Sequence, residues 1–183
     1  VFAAISAIDI ALWDIKGKRA GLPLYSLFGG KCRDRYGTYI HVHGTIDDEL
    51  IEKCREKIKE GHTTLRYSFD TPDPFREGSF FRQPYQNPLE KRIEVDTLKK
   101  EEQIWDEHEY ANDLLKVTGK LRAALGDHIG LIHDVHGRLS SDQACRVAKA
   151  LEPFHLLFLE DPVDSFNNKI LENIKMQSAT PIA

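Results

Sequence analysis

The segment Ile129–Pro162, IGLIHDVHGRLSSDQACRVAKALEPFHLLFLEDP, reads as a buried strand, a helix and a second buried strand. Side chains alternate between the two faces of a strand. In Leu131-Ile132-His133-Asp134-Val135-His136 this predicts Asp134 and His136 on one face and His133 on the other. In Leu156-Leu157-Phe158-Leu159-Glu160, Glu160 shares its face with Phe158, while Leu157 and Leu159 point the opposite way. Both strands are apolar on both faces until their last residues, the pattern of a parallel sheet covered by helices. Ser140 followed by Gln143 predicts a capping box, Val147, Ala148 and Leu151 form a helical stripe, and Pro153 ends the helix. Such a unit carries Asp134 and Glu160, 26 positions apart, to neighbouring strand ends. Two carboxylates placed there repel unless a cation lies between them.

The flanking sequence repeats the alternation of strand and helix. Tyr39–Gly44 predicts a first strand with Ile40 and Val42 on one face and Tyr39, His41 and His43 on the other. Thr45 is placed to cap a helix through Lys59 that carries Leu50, Ile51, Cys54 and Ile58. A second strand, Thr64–Phe69, sets Leu65, Tyr67 and Phe69 against Arg66 and Ser68. After Asp70 no period is evident for about 30 residues, far longer than an ordinary connection and typical of a lid or a disordered segment. A helix then carries Tyr110, Leu114, Val117, Leu121 and Ala124 on one stripe and ends at Gly126. Beyond Glu160, a short helix with Ile170, Leu171 and Ile174 leads to Thr180–Ala183, the opening of a fifth strand. Ahead of all this, Val1, Ile5, Ile8, Leu12 and Ile15 predict an amphipathic helix closed by Gly21 and Pro23. Strands alternating with helices, with polar groups gathered at strand C-termini, describe an α/β fold: about the first half of a (β/α) TIM-type barrel.

Composition narrows the function. A chain of 183 residues with 41% hydrophobic content has enough apolar material for a full core. Its net charge of -4 and scattered Lys and Arg argue against a nucleic-acid partner. No apolar run reaches the length of a membrane span, and no charged leader precedes Val1, so no membrane partner is expected. Cys32, Cys54 and Cys145 form no close pair, which fits a reduced, cytoplasmic setting. The chain lacks an initiator Met, Met176 being its only one, and reads as an internal piece of a longer protein.

At three places the residues resemble a known family. SAIDIALWDIKGKRAGLPLYSLFGG is similar to the junction between capping domain and barrel in the mandelate racemase/muconate lactonizing enzyme branch of the enolase superfamily. IHDVHGRL and FLEDPV resemble the metal-binding strands of acid-sugar dehydratases in that branch, closest to the D-mannonate dehydratase and starvation-sensing subgroup. The resemblance implies residues 1–34 as the end of the N-terminal capping domain and linker, with its last helix, and residues 35–183 as a partial enolase-type barrel. It implies Mg²⁺ as cofactor, with Asp134 and Glu160 as the first two ligands and a third expected from the next strand, just past Ala183. It implies His136 as general acid and base, His41 as a substrate contact and Arg66 as support for a catalytic Tyr. In the dehydratases that Tyr lies about a dozen residues after the Arg. Here that span holds Phe75–Phe80, and Tyr85 is the nearest candidate. Gly137 stands where the subgroup often has a second His. The reaction implied removes the proton next to a carboxylate, giving an enediolate stabilised by the metal, and then expels the β-hydroxyl. The substrate is a small sugar acid of D-mannonate or D-gluconate type, and the complete protein is expected to be a homo-oligomer.

Each assignment has a plainer counterpart. A strand-end Asp commonly caps a turn, and a lone His is commonly a satisfied polar group. His41 and His43 fit packing as well as contact, Arg66 fits pairing with a neighbouring carboxylate, and Trp13 and Trp105 fit helix packing. The same residues also serve a racemase or epimerase using the same intermediate, and a non-catalytic or truncated relative retaining the scaffold.

Overall fold

A computed structural model of the chain describes residues 2–46, 48–69, 106–164 and 168–183. The long stretch after Asp70, Tyr85 and Trp105 lie outside the described residues. Two compact units divide the chain, Val1–Thr38 and Tyr39–Ala183.

The first unit contains helices α1 (Phe2–Ala20) and α2 (Leu24–Leu27), with Trp13 set edge-on to Phe28 at 4.5 Å between ring centres. The expected amphipathic character of α1 does not hold. Ile5, Ile8, Leu12 and Ile15 form one stripe, but Ile10 lies on the far side of the helix, and all five are exposed.

The second unit is built on a parallel sheet of four strands in the order β1-β2-β3-β4. These are β1 (Ile40–Gly44), β2 (Thr64–Phe69), β3 (Gly130–Asp134) and β4 (Phe158–Glu160). Between and after them run α3 (Asp48–Lys59), α4 (Glu107–Leu125), α5 (Ser141–Ala150) and α6 (Asn168–Gln177). Val42, Leu65, Tyr67, Leu131 and Leu159 all lie on the helix-covered face, packed with Leu50, Leu114, Val147 and Ile174 in one core. The segment after α6 pairs with β4 in parallel: Leu159 N–H donates to Pro181 O at 2.8 Å and Asp161 N–H to Ala183 O at 2.9 Å. This is the start of a fifth strand in the predicted place. Strands in sequence order, parallel and covered by helices on one face, are the first half of a (β/α) barrel.

Helix ends follow local chemistry, with one departure. Asp106 caps α4 by accepting from His108 N–H and Glu109 N–H, and Gly126 ends it at φ +77°. Ser140 caps α5 by accepting from Gln143 N–H. The reciprocal half of the predicted capping box is absent, because Gln143 is buried and Glu107 of α4 takes its place, accepting from Ser140 N–H at 2.9 Å and from the Ser140 hydroxyl at 3.0 Å. The borrowed carboxylate ties two helices together where a local pair was expected.

Candidate active site

Register places the polar residues of the uncovered face in rows. His41, Arg66, Ile132 and Phe158 align across the four strands. One level nearer the C-terminal ends, His43 aligns with Ser68 and Asp134 with Glu160. Alternation therefore delivers both carboxylates to the same edge, on neighbouring strands and in register.

Arg66 reaches up from its row into the space between them. Its Nη2 meets Asp134 Oδ2, and its Nε lies 2.8 Å from Glu160 Oε2. This second contact is an ion pair without a hydrogen bond: the Nε–H does not point at the oxygen, and neither atom has a hydrogen-bond partner among the described residues. The third nitrogen, Nη1, lies 3.0 Å from His41 Nε2. A guanidinium only donates, so Nε2 of His41 is the accepting nitrogen and the ring is neutral with its proton on Nδ1. Burial, then the charge of Arg66, lowers the His41 pKa, with Glu160 opposing. Among the described residues Arg66 pairs with both carboxylates.

His136 requires a correction. It does not continue the strand, because β3 ends at Asp134 and His136 turns away in the left-handed region at φ +60°. It meets Asp134 through a turn instead. Its N–H donates to Asp134 Oδ1 at 2.9 Å, the self-closing turn favoured by an Asp two residues earlier, and its Nδ1 lies 3.2 Å from Asp134 Oδ2. Burial lowers its pKa, helped by Arg138 and Arg66 and opposed by Asp161 and Glu160. Asp161, directly after Glu160, is also left-handed at φ +41°. Left-handed non-glycine residues thus follow both carboxylates, and backbone strain of this kind gathers at functional sites. Gly137, at φ +68°, lets the chain pass close to the next loop, where its N–H donates to Asp161 O at 2.7 Å.

Two histidines named from the sequence have partners that only the structure shows. His43 Nδ1 lies 2.9 Å from Ser68 Oγ in the row of the carboxylates, and the signal available was the period of two shared with His41. On the covered face, His133 is buried between Tyr110 Oη at 2.7 Å and Tyr67 O at 3.1 Å. It is structural, as its alternation with Asp134 predicted. Phe158 and Glu160 share the uncovered face with Leu159 opposite, but Leu157 precedes β4 and is exposed.

The site residues that can hold a cation are two carboxylates. Among the described residues no group of three or more His, Cys, Asp or Glu is placed to hold a metal ion. The two present fit a hard divalent cation: both offer oxygen, they stand in register, and buried Glu160 Oε2 accepts no hydrogen bond.

Residues 49–183 match the family model described as enolase C-terminal domain-like. The chain belongs to the enolase superfamily. Residues 1–29 match the N-terminal domain of mandelate racemase/muconate lactonizing enzyme, which places the superfamily member in that branch. The D-galactonate dehydratase family member RspA of Pantoea ananatis is 40% identical over 98% of this chain and 44% of its own length. A D-mannonate dehydratase of Caulobacter vibrioides is 37% identical over 98% of this chain. A crystal structure of an enolase from Pantoea ananatis with bound D-gluconate and Mg superposes with a TM-score of 0.72 at 38% identity, covering 96% of this chain and 43% of that one. The chain spans about 44% of the length of the curated relatives it matches. No helix among the described residues is long and apolar enough to cross a membrane.

Proposed function

We propose that this superfamily member carries the first half of the active site of a Mg²⁺-dependent acid-sugar dehydratase. The observation that supports it most is the in-register pair Asp134 and Glu160 at neighbouring strand ends, with His136 folded back onto Asp134. The names of its relatives, and the D-gluconate and Mg bound in one solved neighbour, favour a sugar acid as substrate. Residues 1–34 would then end a capping domain and residues 35–183 open the barrel. Three free thiols fit a cytoplasmic enzyme.

Asp134 and Glu160 would hold Mg²⁺, which when bound stabilises the charge that gathers on the substrate carboxylate as its α-proton leaves. The protein's own groups do the rest. His136 delivers a proton to the departing β-hydroxyl. Burial and the neighbouring guanidinium groups weaken its hold on that proton, which makes the imidazolium a stronger acid. His41 and Arg66, linked in the row below, orient the substrate from the first two strands. Loss of water then leaves an enol that tautomerises to a 2-keto-3-deoxy acid. The α-proton acceptor is assigned to the segment containing Tyr85.

The test is His136→Asn in the complete protein. Formation of 2-keto-3-deoxy acid from D-mannonate or D-gluconate should stop while Mg²⁺ binding persists, with exchange of the α-hydrogen for solvent deuterium surviving through the separate base. Absence of both elimination and exchange in the wild type across a panel of sugar acids would return the chain to a non-catalytic relative. Exchange with inversion but no elimination would make it a racemase.

A further inference from the structure

The position of Arg66 has a consequence for metal binding beyond support of a neighbouring Tyr. We infer that Arg66 is a built-in counter-cation of the Asp134–Glu160 pair, which must be displaced for a divalent metal to enter. The inference rests on the metal reading of that pair proposed above.

The charges and contacts carry it. Asp134, Glu160 and Arg66 side chains are 5%, 25% and 15% exposed, so their charges are mostly withdrawn from water. One guanidinium balances one of the two carboxylates and leaves a net charge of one negative, which a divalent ion would more than offset. A metal and Arg66 together would place three positive charges against two negative ones, and at these burials like charges a few ångströms apart repel strongly. The oxygens are also the same. Arg66 occupies Asp134 Oδ2 and stands over Glu160 Oε2, while the other Asp134 oxygen is held by His136 N–H.

The bridge is unequal in a way that suits release. The contact to Glu160 is not a hydrogen bond, whereas the Nη1–His41 link is, at 3.0 Å. His41 stands on β1, two strands away from Asp134, and can keep hold of the guanidinium as it withdraws from the carboxylates. The freed donors would then face the uncovered side of the sheet from the same row, placed to receive the carboxylate of a sugar acid. Metal entry and substrate-anion binding would thereby be coupled through one side chain.

Because only molecules with Arg66 withdrawn accept metal, the apparent affinity is reduced by the fraction in that state. The metal has to break the ion pair of Arg66 with Asp134, so Arg66→Met should tighten Mg²⁺ binding roughly tenfold to a hundredfold. The measurement is calorimetric titration of the full chain with Mg²⁺ alone. Arg66→Lys, which cannot bridge both carboxylates, should fall between the two, and serves if the Met variant does not fold. In the wild type, the ¹⁵N resonance of Arg66 Nε should move as Mg²⁺ saturates the site. If wild type binds Mg²⁺ and Arg66→Met or Arg66→Lys binds it equally or more weakly, or if that resonance stays in place at saturation, the displacement is wrong and the metal reading stands. If neither wild type nor variant binds Mg²⁺, the metal reading falls and takes the displacement with it.

Discussion

His133 makes the stability of this fold depend on pH with a definite sign. Its ring is 2% exposed and lies between Tyr110 Oη and the carbonyl of Tyr67. The carbonyl can only accept, so Nδ1–H donates to it and Nε2 accepts from the Tyr110 hydroxyl. A second proton would have to enter at Nε2, inside the buried core. Burial is the main cause that lowers its pKa to about 3; the hydrogen bond to the Tyr67 carbonyl opposes the shift, and the charges of Arg138, His136 and Arg66 add to it. The unfolded chain, with an ordinary His near 6.5, therefore binds a proton that the folded one refuses. The stabilisation is complete above pH 6.5 and is lost as pH falls from there toward 3. At 1.36 kcal/mol per unit, His133 should cost the fold about 2 kcal/mol between pH 7 and pH 5. The perturbation that isolates it is His133→Gln, whose amide offers the same donor and acceptor without titrating. Urea denaturation of both proteins at pH 7, 6 and 5 gives the comparison. The lowered His41 and His136 contribute equally to both proteins and cancel. The depressed carboxyls of Glu49, Asp106 and Glu152 lose their contribution mainly below this range. Wild type should lose about 2 kcal/mol more than the variant. Parallel curves, within about 0.5 kcal/mol, would refute a neutral buried imidazole.

Two further outcomes follow from the site. Asp134→Asn or Glu160→Gln removes one of two oxygen anions from the pair, and Mg²⁺ affinity by calorimetry should fall at least about tenfold while the circular dichroism spectrum is retained. Gly137→Ala should destabilise by about 1–2 kcal/mol in urea, because its φ of +68° lies in the left-handed region, where a Cβ crowds the following carbonyl. An unchanged midpoint would mean that the turn after Gly137 shifts freely.

Period and residue chemistry alone were sufficient for the parallel strands, their order and the face each residue takes. A strand permits only two directions for a side chain, and apolar residues must take the covered one. That is why Leu65 and Tyr67 could be set against Arg66, and His133 against Asp134, before any coordinates. The same rule failed at His136, because alternation holds only while the ladder continues. Where β3 stops is decided by its partner β4, whose last paired residue is Glu160, and the turn that follows is closed by loop-to-loop bonds to Asp161. The capping box failed for a similar reason, since Glu107, 33 residues away, is a neighbour of Ser140 only in the folded chain. The amphipathic reading of α1 failed within a single helix, where counting a stripe overlooked the apolar residue opposite it. Tertiary structure alone decided the place of Arg66. Sequence puts it on the same face as the carboxylates, two strands from Glu160. Only the length and reach of its side chain across the sheet put its charge between Asp134 and Glu160, where a cation offsets the repulsion of two neighbouring carboxylates.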